Sequence, residues 1–418
     1  MSDEHAIFVN GLAAATGTGT KASPYKTIGE AVASASGKLI VVCDTTYDEQ
    51  VKVTGGVKLY GGFSCTDWTY ETGKRAVVKR TSKGAALEVS GVSASVVIED
   101  MEFSSADGSA AGESSVAALV TSSSDVKLHR VKLAAGKGVT GTNGTLSAYT
   151  YPTQVSLNGN NATGLAGGAV KACTCPAGDQ TIGGAAGSGP TPQDGNPGLP
   201  ALAGGQGGDK TKPCNSGGGG SNGSPAVAAS DATGASTSGT LTSGAWTPTG
   251  GATAPNGSPG QGGGGGASSA SGGGGGGGCG GCGGAGGPGG GGGGASIALI
   301  AVDSTVSVDA GSELVTSDAG DGGSGAAGQG GQTEIGFFGN GTTPGCSGGN
   351  GGPGASGGAG GGGAGGVSIA VMWKGAAAPS VDASAKVTLG KKGNKGTGGK
   401  AGSNDGIDGL SQQTLEVK

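Results

Sequence analysis

Short apolar runs separated by turn residues recur along residues 6–135. They are rich in Val and Ile, and the clearest of them lie at 39–42, 57–60, 77–78, 96–98, 116–120 and 131–133. Each run predicts a short strand, and only one stretch among them has a helical period. Strands this short are typical of a solenoid whose coils stack on one another, whereas a sandwich needs longer strands and hairpin turns.

The helical stretch is 27–35, which follows Pro24 and places Ile28, Ala31 and Val32 on one apolar face. We expect this helix to cap the N-terminal end of the solenoid, where unpaired backbone would otherwise be exposed.

Three later segments align with one another, at 115–138, 296–320 and 368–393, and each leads into a glycine-rich stretch. The alignment predicts successive coils of one solenoid, with the glycine stretches leaving at the same corner and returning for the next coil. Residues 414–418 (TLEVK) are predicted to form a last strand.

The glycine-rich stretches have a period of three. In 345–366 glycine occupies every third position from 345, and the tract 257–293 repeats the pattern with Ser269 as its one exception. The tracts 322–331 and 390–402 obey the period fully, and 183–207 obeys it loosely. A helix of three residues per turn needs glycine wherever one edge lies against another backbone.

Proline is too sparse for collagen, with 16 in the whole chain. The period therefore predicts polyglycine-II-like helices, which have no internal hydrogen bonds and must satisfy N–H and C=O through neighbouring helices. With 103 glycines among 418 residues and 3% aromatics, an ordinary core of packed side chains cannot be built throughout. A bundle of glycine helices is the expected alternative.

The predicted fold class is all-β, a parallel β-helix solenoid with polyglycine-II-like excursions. The predicted divisions are 1–137 for the N-terminal part of the β-helix with its cap, 138–295 for glycine-rich excursions, 296–319 for a coil, 320–366 for a glycine-rich excursion, 367–389 for a coil, and 390–418 for a glycine-rich tract with the final strand.

The opening of the chain also resembles a known family. The segments IFVNG (7–11), KASPYKTIGEAVASA (21–35) and KLIVVCDTTYDEQVKVTGGVKLYGGF (38–63) look like the start of pectin-lyase-like right-handed parallel β-helix proteins. GGFSCTDWTY (61–70) is similar to the glycine-rich extracellular members of myxobacterial type, in which the Cys and Trp recur. The resemblance covers about residues 6–135 and implies a right-handed solenoid outside the cell.

Eight cysteines and two histidines favour a disulfide framework over metal sites. Cys279 and Cys282 share one phase of a glycine helix, about 9 Å apart, which is beyond disulfide reach. We expect each to pair outward, with candidates at Cys173, Cys175, Cys214 and Cys346, and we expect Cys43 to pair with Cys65. The alternative is a local redox or metal pair at CGGC (279–282).

Candidate chemistry is sparse. A lyase on such a fold needs clustered carboxylates and a base, and strand alternation places Glu99 on the opposite face from Asp100 and Glu102. His129 is interpreted as a surface histidine, because no carboxylate partner can be assigned to it from sequence. The cluster GKKGNKGTGGK (390–400) is interpreted as a solvated surface, and the formal net charge of -5 argues against a nucleic-acid partner.

The sequence favours an extracellular structural or cell-surface protein, not an enzyme, without cofactor or metal, and self-associating as a homo-oligomer, filament or fibre. The alternative is an adhesin, or a protein that binds polysaccharide or ice with its glycine-rich face, and a polysaccharide lyase ranks below both. No stretch could span a membrane, and the polar start fits a trimmed lipoprotein or any trimmed secreted protein.

Overall fold

The computed structural model describes residues 2–375 and 377–418, and its regular elements are almost all strands. The strands, in chain order, are β1 (Ala6–Val9), β2 (Leu39–Cys43), β3 (Thr46–Tyr47), β4 (Val51–Val53), β5 (Val57–Phe63), β6 (Ala76–Lys79), β7 (Leu87–Ser90), β8 (Val96–Glu99), β9 (Met101–Ser104), β10 (Ser115–Thr121), β11 (Val126–His129), β12 (Lys132–Ala134), β13 (Lys171–Thr174), β14 (Gln180–Gly183), β15 (Gly239–Thr242), β16 (Ala245–Pro248), β17 (Ser296–Val302), β18 (Val306–Val308), β19 (Glu313–Val315), β20 (Ser368–Lys374), β21 (Ser380–Val381), β22 (Lys386–Thr388) and β23 (Ser411–Glu416). The helices are α1 (Ile28–Ser34), α2 (Gln154–Leu157) and a 3-10 turn at Cys214–Ser216.

Most strands belong to three parallel sheets that the polypeptide visits in a fixed rotation. Sheet A has the order β1-β2-β5-β8-β11-β18-β21, sheet B has the order β22-β19-β12-β9-β6-β3, and sheet C has the order β23-β20-β17-β10-β7-β4. The strands β2, β3 and β4 lie in sheets A, B and C, and β5, β6 and β7 repeat the sequence. We call these three sheets the body. The prediction of an all-β fold is confirmed.

Strand alternation gives the body an apolar interior. Residues at the same register in successive strands stack on one another, so the sheets contribute ladders of apolar side chains. In sheet A the ladder is Ile7, Ile40, Leu59, Ile98, Leu128, Val308 and Val381. In sheet B it is Tyr47, Val78, Phe103, Leu133, Leu314 and Val387. Most of these side chains are fully buried, which accounts for the Val and Ile content of the runs.

The helix predicted at 27–35 is confirmed as α1. Thr27 and Glu30 form a capping box, and the carboxylate of Glu49 accepts the N–H groups of Ile28 and Gly29 at 2.8 and 2.9 Å. The helix packs on β1, β2 and β4, which begin the first coils of the body. It therefore covers the N-terminal end of the apolar interior.

The three segments that align in the sequence also align in space. Ser115, Ser296 and Ser368 are register partners at the start of β10, β17 and β20. The last strand, expected at 414–418, is found as β23 and pairs with β20.

The glycine-rich stretches leave the body after sheet B and return at sheet C. They connect β12 to β17, β19 to β20 and β22 to β23. The first connection also contains two antiparallel hairpins, β13–β14 and β15–β16, which the sequence did not predict. We call the glycine-rich part of these connections the bundle.

Candidate functional site: the glycine bundle

The run 272–294, which we call the central run, is almost wholly buried although it consists mainly of glycine. Every third N–H donates to the run 346–364 in one constant register, from Gly275 bonding Cys346 at 2.8 Å to Gly293 bonding Ala364 at 2.8 Å. The carbonyls of this phase accept N–H groups from the antiparallel run 251–269 at 2.8 to 3.0 Å. Carbonyls of a second phase accept N–H groups from the run 320–339. Peptide groups of the neighbouring runs thus take the place of side chains as the packing partners.

The close approach of these runs explains the glycine period. At Gly277 and Gly283 an added Cβ would lie 1.9 and 1.8 Å from the carbonyl oxygens of Gly263 and Gly257. At Gly351, in the tract with the strictest period, it would lie 2.0 Å from the carbonyl oxygen of Cys279. Real Cβ atoms do not come this close to backbone, so only glycine fits these positions.

The one exception to the period in 257–293 lies at a reversal of direction. The N–H of Ser269 bonds the carbonyl of Gly272 at 2.8 Å, where the run 251–269 turns into the central run. A turn has no run packed against that edge, so a side chain is tolerated there.

Side chains of the central run occupy one phase, which avoids the two phases where an added Cβ would meet the runs 251–269 and 320–339. Cys279, Cys282, Ala285 and Pro288 all fall on that phase. Cys279 bonds Cys173 and Cys282 bonds Cys175, with Cα atoms 6.3 and 5.4 Å apart. Cys173 and Cys175 are two residues apart along an extended strand, so their side chains lie on one side of it. Cys279 and Cys282 are three residues apart along a glycine run, so their side chains also lie on one side, and the two pairs face each other. The outward pairing expected from the shared phase is therefore present, and CGGC does not form a local pair.

The other two disulfides complete the framework. Cys214 bonds Cys346, and Cys43 bonds Cys65, which is the pair expected within the opening of the chain. All eight cysteines are paired, and three of the four bonds join separate parts of the bundle.

Asparagine and aspartate side chains fix the outer runs of the bundle, a role that sequence reasoning missed. The Oδ1 atom of Asn143 accepts the N–H of Ser324 at 2.8 Å, and the next N–H, of Gly144, donates to the carbonyl of Ser324 at 2.7 Å. One residue of the neighbouring run is thus held by both of its backbone groups. We call this pair of bonds an Asx clamp.

The clamp recurs at further contacts between parallel outer runs. The same two bonds join Asn158 to Phe337, Asn161 to Asn340, Asn222 to Asn350, Asp231 to Ala359, Asp318 to Lys391, and Asp321 to Asn394. The Oδ1 atom of the Asx clamp accepts an N–H group of an outer run that has no neighbouring run on its solvent side. Its signal in the sequence is Asn or Asp directly before Gly or Ala in a triplet tract, which resembles an ordinary turn signal.

The basic cluster at 390–400 faces an acidic partner segment. Lys392 pairs with Asp408 and Lys395 with Asp405, both at 2.9 Å, and Lys400 pairs with Asp231. The N–H of Gly398, with Lys395, lowers the pKa of Asp405 to about 2. The lysine side chains are about half exposed or more, so these pairs lie on a solvated surface, as the sequence suggested.

The carboxylates considered for lyase chemistry lie at a corner of the body, and the predicted alternation is wrong there. Asp100 has a φ of 53°, so the backbone turns between β8 and β9 and breaks the alternation. Glu99 and Asp100 therefore converge on Arg130, whose Nε donates to Asp100 at 2.8 Å. The hydrogen bond to Asp100 raises the pKa of Arg130 above its usual value. Glu102 instead pairs with Lys132 at 3.1 Å on the outer face of sheet B.

His129 has a partner that lies far from it in the sequence. Its Nδ1 atom is 2.6 Å from Oδ2 of Asp309, and both side chains are partly exposed. The histidine is thus at the surface, as expected, but it contacts a carboxylate that the local sequence could not indicate.

The hairpin β15–β16 covers the outer face of sheet C. Leu241 and Trp246 pack on Ile297, Ile300 and Met372, which point away from the apolar interior of the body. A groove of about 560 Å³ lies between this hairpin and β23. It is open and partly apolar.

Among residues 2–375 and 377–418, no group of three or more His, Cys, Asp or Glu side chains is placed to hold a metal ion. No helix in that part of the protein is long and apolar enough to cross a membrane. Comparison of the sequence with protein-family models, with curated proteins and with solved structures finds no match.

Proposed function

We propose that the protein is an extracellular structural protein, in which a right-handed parallel β-helix of the pectin-lyase-like kind carries a polyglycine-II-like bundle as its working surface. The observation that carries the proposal is the central run, in which successive N–H groups bond different neighbouring runs and glycine alone fits the contacts. Such a bundle supplies a fixed shape and an extended surface. Three disulfides in the bundle favour an oxidising compartment.

Self-association is proposed to occur through the sides of the bundle instead of the ends of the body. At the N-terminal end, β1 is already paired, since Phe8 bonds Gly19 and Tyr25 through backbone groups. At the other end, β23 carries Glu416 at an inward register position beside Trp373. An inward charge on an edge strand disfavours the addition of a further strand.

The outer run 217–235 offers a lateral edge. One phase of its N–H groups, including Ala229 and Ala232, bonds the run 347–362. Within the part of the protein that the structure describes, the N–H groups of Val227, Ala228 and Ser230 have no partner. Val227 is also 85% exposed. A glycine-rich run of a second copy could bond these groups as the internal runs bond one another.

The test is self-association of the full disulfide-bonded protein. We expect light scattering and negative-stain microscopy to detect lateral assemblies at high concentration, and Val227→Lys to reduce them. The matched control is Leu12→Lys, because Leu12 is 70% exposed on the body. A monodisperse monomer at every concentration, or equal loss of assembly in both variants, would count against lateral association.

A second candidate is adhesion to polysaccharide through the bundle. Phe337 and Phe338 are 50% and 43% exposed on an outer run, and aromatic faces of this kind can stack on sugar rings. Binding to insoluble polysaccharides should then fall when both are replaced by Ala. For the lyase alternative no comparable observation exists, since Glu99 and Asp100 already bind Arg130.

A further inference from the structure

Six Asn–Gly pairs lie in the bundle, and their chemistry depends on how each is held. They begin at Asn143, Asn158, Asn222, Asn256, Asn340 and Asn350. Asparagine is a thermolabile residue, and a following glycine leaves its side chain open to attack by the next backbone nitrogen. The attack requires the side chain to rotate until Cγ meets that nitrogen. Hydrogen bonds to the asparagine Oδ1 atom and to the N–H of the following glycine oppose the rotation.

Five of the six pairs have both groups bonded to a neighbouring run. In Asn143, Asn158 and Asn222 the Asx clamp holds Oδ1 and the next glycine N–H on one residue. Asn256 and Asn350 reach antiparallel runs, where Oδ1 accepts the N–H of Gly286 and of Phe338, each at 2.9 Å. Their following glycines, at 257 and 351, donate at 2.8 and 2.9 Å.

Asn340 is the exception. Its side chain is exposed, and within residues 2–375 and 377–418 neither that side chain nor the N–H of Gly341 makes a hydrogen bond. The backbone of Asn340 is still bonded to Asn161 and Ala162. The run ends at Thr342, because Gly345 bonds back to it. We infer that Asn340 is a site of spontaneous deamidation, and that the other five Asn–Gly pairs are protected by the bundle.

The reaction needs only water. The backbone nitrogen of Gly341 loses its proton and bonds to Cγ of Asn340, the bond between Cγ and the amide nitrogen Nδ2 breaks, and ammonia leaves with the proton. The resulting five-membered imide is opened by water at either carbonyl, which yields aspartate or isoaspartate. The net change is one water consumed and one ammonia released.

The isoaspartate product lengthens the backbone at one residue. The bonds from Gly339 to Gly276 and from Thr342 to Gly273 lie on either side of Asn340 and depend on the three-residue period. An extra backbone carbon between them disturbs the register after 340. The disturbance is confined to the end of the bundle, since the run reverses within five residues.

The test compares two sites with the same following sequence. Asn143 and Asn340 are both followed by Gly-Thr, and only Asn143 is clamped. During mildly alkaline incubation of the folded protein, peptide mapping by mass spectrometry should show conversion of Asn340 about 25-fold faster than that of Asn143, because Asn340 lacks two hydrogen bonds and each changes the reactive population by about fivefold. In the reduced and denatured protein the two rates should become similar. Equal rates in the folded protein would overturn the inference.

A second pair of variants tests the clamp directly. Ser324→Pro removes the N–H that holds Oδ1 of Asn143 but keeps the carbonyl, and proline already occurs in these runs at 288 and 353. It should increase deamidation of Asn143, while Ser324→Ala, which keeps the N–H, should not. No increase in Ser324→Pro, with fold preserved by circular dichroism, would show that the clamp does not protect.

Discussion

The body and the bundle stack in the same direction but have different interiors. In the body, strands carry ladders of aliphatic side chains such as Leu59, Ile98 and Leu128 into a shared apolar core. In the bundle, the runs come so close that a methyl group would not fit between them. The two patterns are continuous, because the bond from Gly293 to Ala364 is followed by one from Ser296 to Val367 at the start of β17. One stacking direction therefore serves two kinds of core.

The difference lies in the source of stability. Burial of apolar surface stabilises the body by about 25 cal/mol per Å². The bundle has little such surface, and each of its hydrogen bonds contributes only about 1 kcal/mol net. It also orders many glycines, which lose the most backbone entropy on folding. The small apolar surface of the bundle and its large loss of backbone entropy account for the placement of three of the four disulfides there.

The largest effect is expected from adding one methyl group to the bundle. At Gly331 an added Cβ would lie 2.3 Å from the carbonyl oxygen of Gly354, whereas at Gly330 nothing lies within 4 Å. Gly331→Ala should therefore lower the free energy of unfolding by about 4 kcal/mol or more, or prevent folding. Gly330→Ala should be neutral or raise it by up to about 1 kcal/mol. Denaturant unfolding of both variants measures this, and similar values for the two would refute the backbone core.

Removing a large side chain from the body should cost slightly less. Phe103 is fully buried between Val78 and Leu133 in sheet B. Phe103→Ala should lower the free energy of unfolding by about 3–5 kcal/mol, since it leaves a cavity. The exposed neighbour Lys79 provides the control, and Lys79→Ala should stay within about 0.5 kcal/mol. The contrast between the two cores is contradicted if Phe103→Ala lowers the free energy of unfolding far more than Gly331→Ala does.

The next effect concerns the two adjacent disulfides. The bonds Cys173–Cys279 and Cys175–Cys282 close loops of 106 and 107 residues, so either one constrains nearly the same unfolded segment. Replacing all four cysteines by Ala should cost about 3–4 kcal/mol. Removing one bond should cost only about 1 kcal/mol, because the other still closes the loop. Additive losses in denaturant unfolding would show that the bonds act through local packing instead of conformational entropy.

The strands and the glycine period were predictable because both follow from local rules. Alternation located the runs that became β2, β5 and β8, and the aligned serines at 115, 296 and 368 fixed the register of sheet C. The shared phase of Cys279 and Cys282 showed that they could not pair with each other. Which cysteines they meet depends on the hairpin β13–β14, whose position no local pattern records.

The neighbours of each glycine run could not be predicted. Backbone hydrogen bonds carry no residue identity, so any run in phase could pair with any other. The corner at Asp100 was missed because a positive φ at a non-glycine residue breaks alternation without a signal in the sequence. The Asx clamps were missed because Asn–Gly usually marks a turn, whereas here it lies in a straight run.

The smallest effect is expected at Glu113, where the body meets the bundle. Its backbone carbonyl accepts the N–H of Val139, and its side chain is 7% exposed. The N–H groups of Ser109 and Ala110, with Lys83, lower its pKa to about 2 from the usual 4.5. Because the folded pKa is the lower one, the stabilisation is complete above about pH 4.5 and is lost as the pH falls through about 2.

Glu113→Gln removes that dependence and keeps an acceptor of similar shape. The melting temperature of the natural protein should therefore fall more steeply than that of the variant between pH 4.5 and 2, which thermal scans would measure. Above pH 4.5 the variant should be slightly less stable, with faster hydrogen exchange at Val139 and Gly294, which are bonded to each other. Parallel pH curves would mean that the charge contributes nothing. A loss of protection spread over the body would mean that Glu113 supports the apolar core instead of its joint with the bundle.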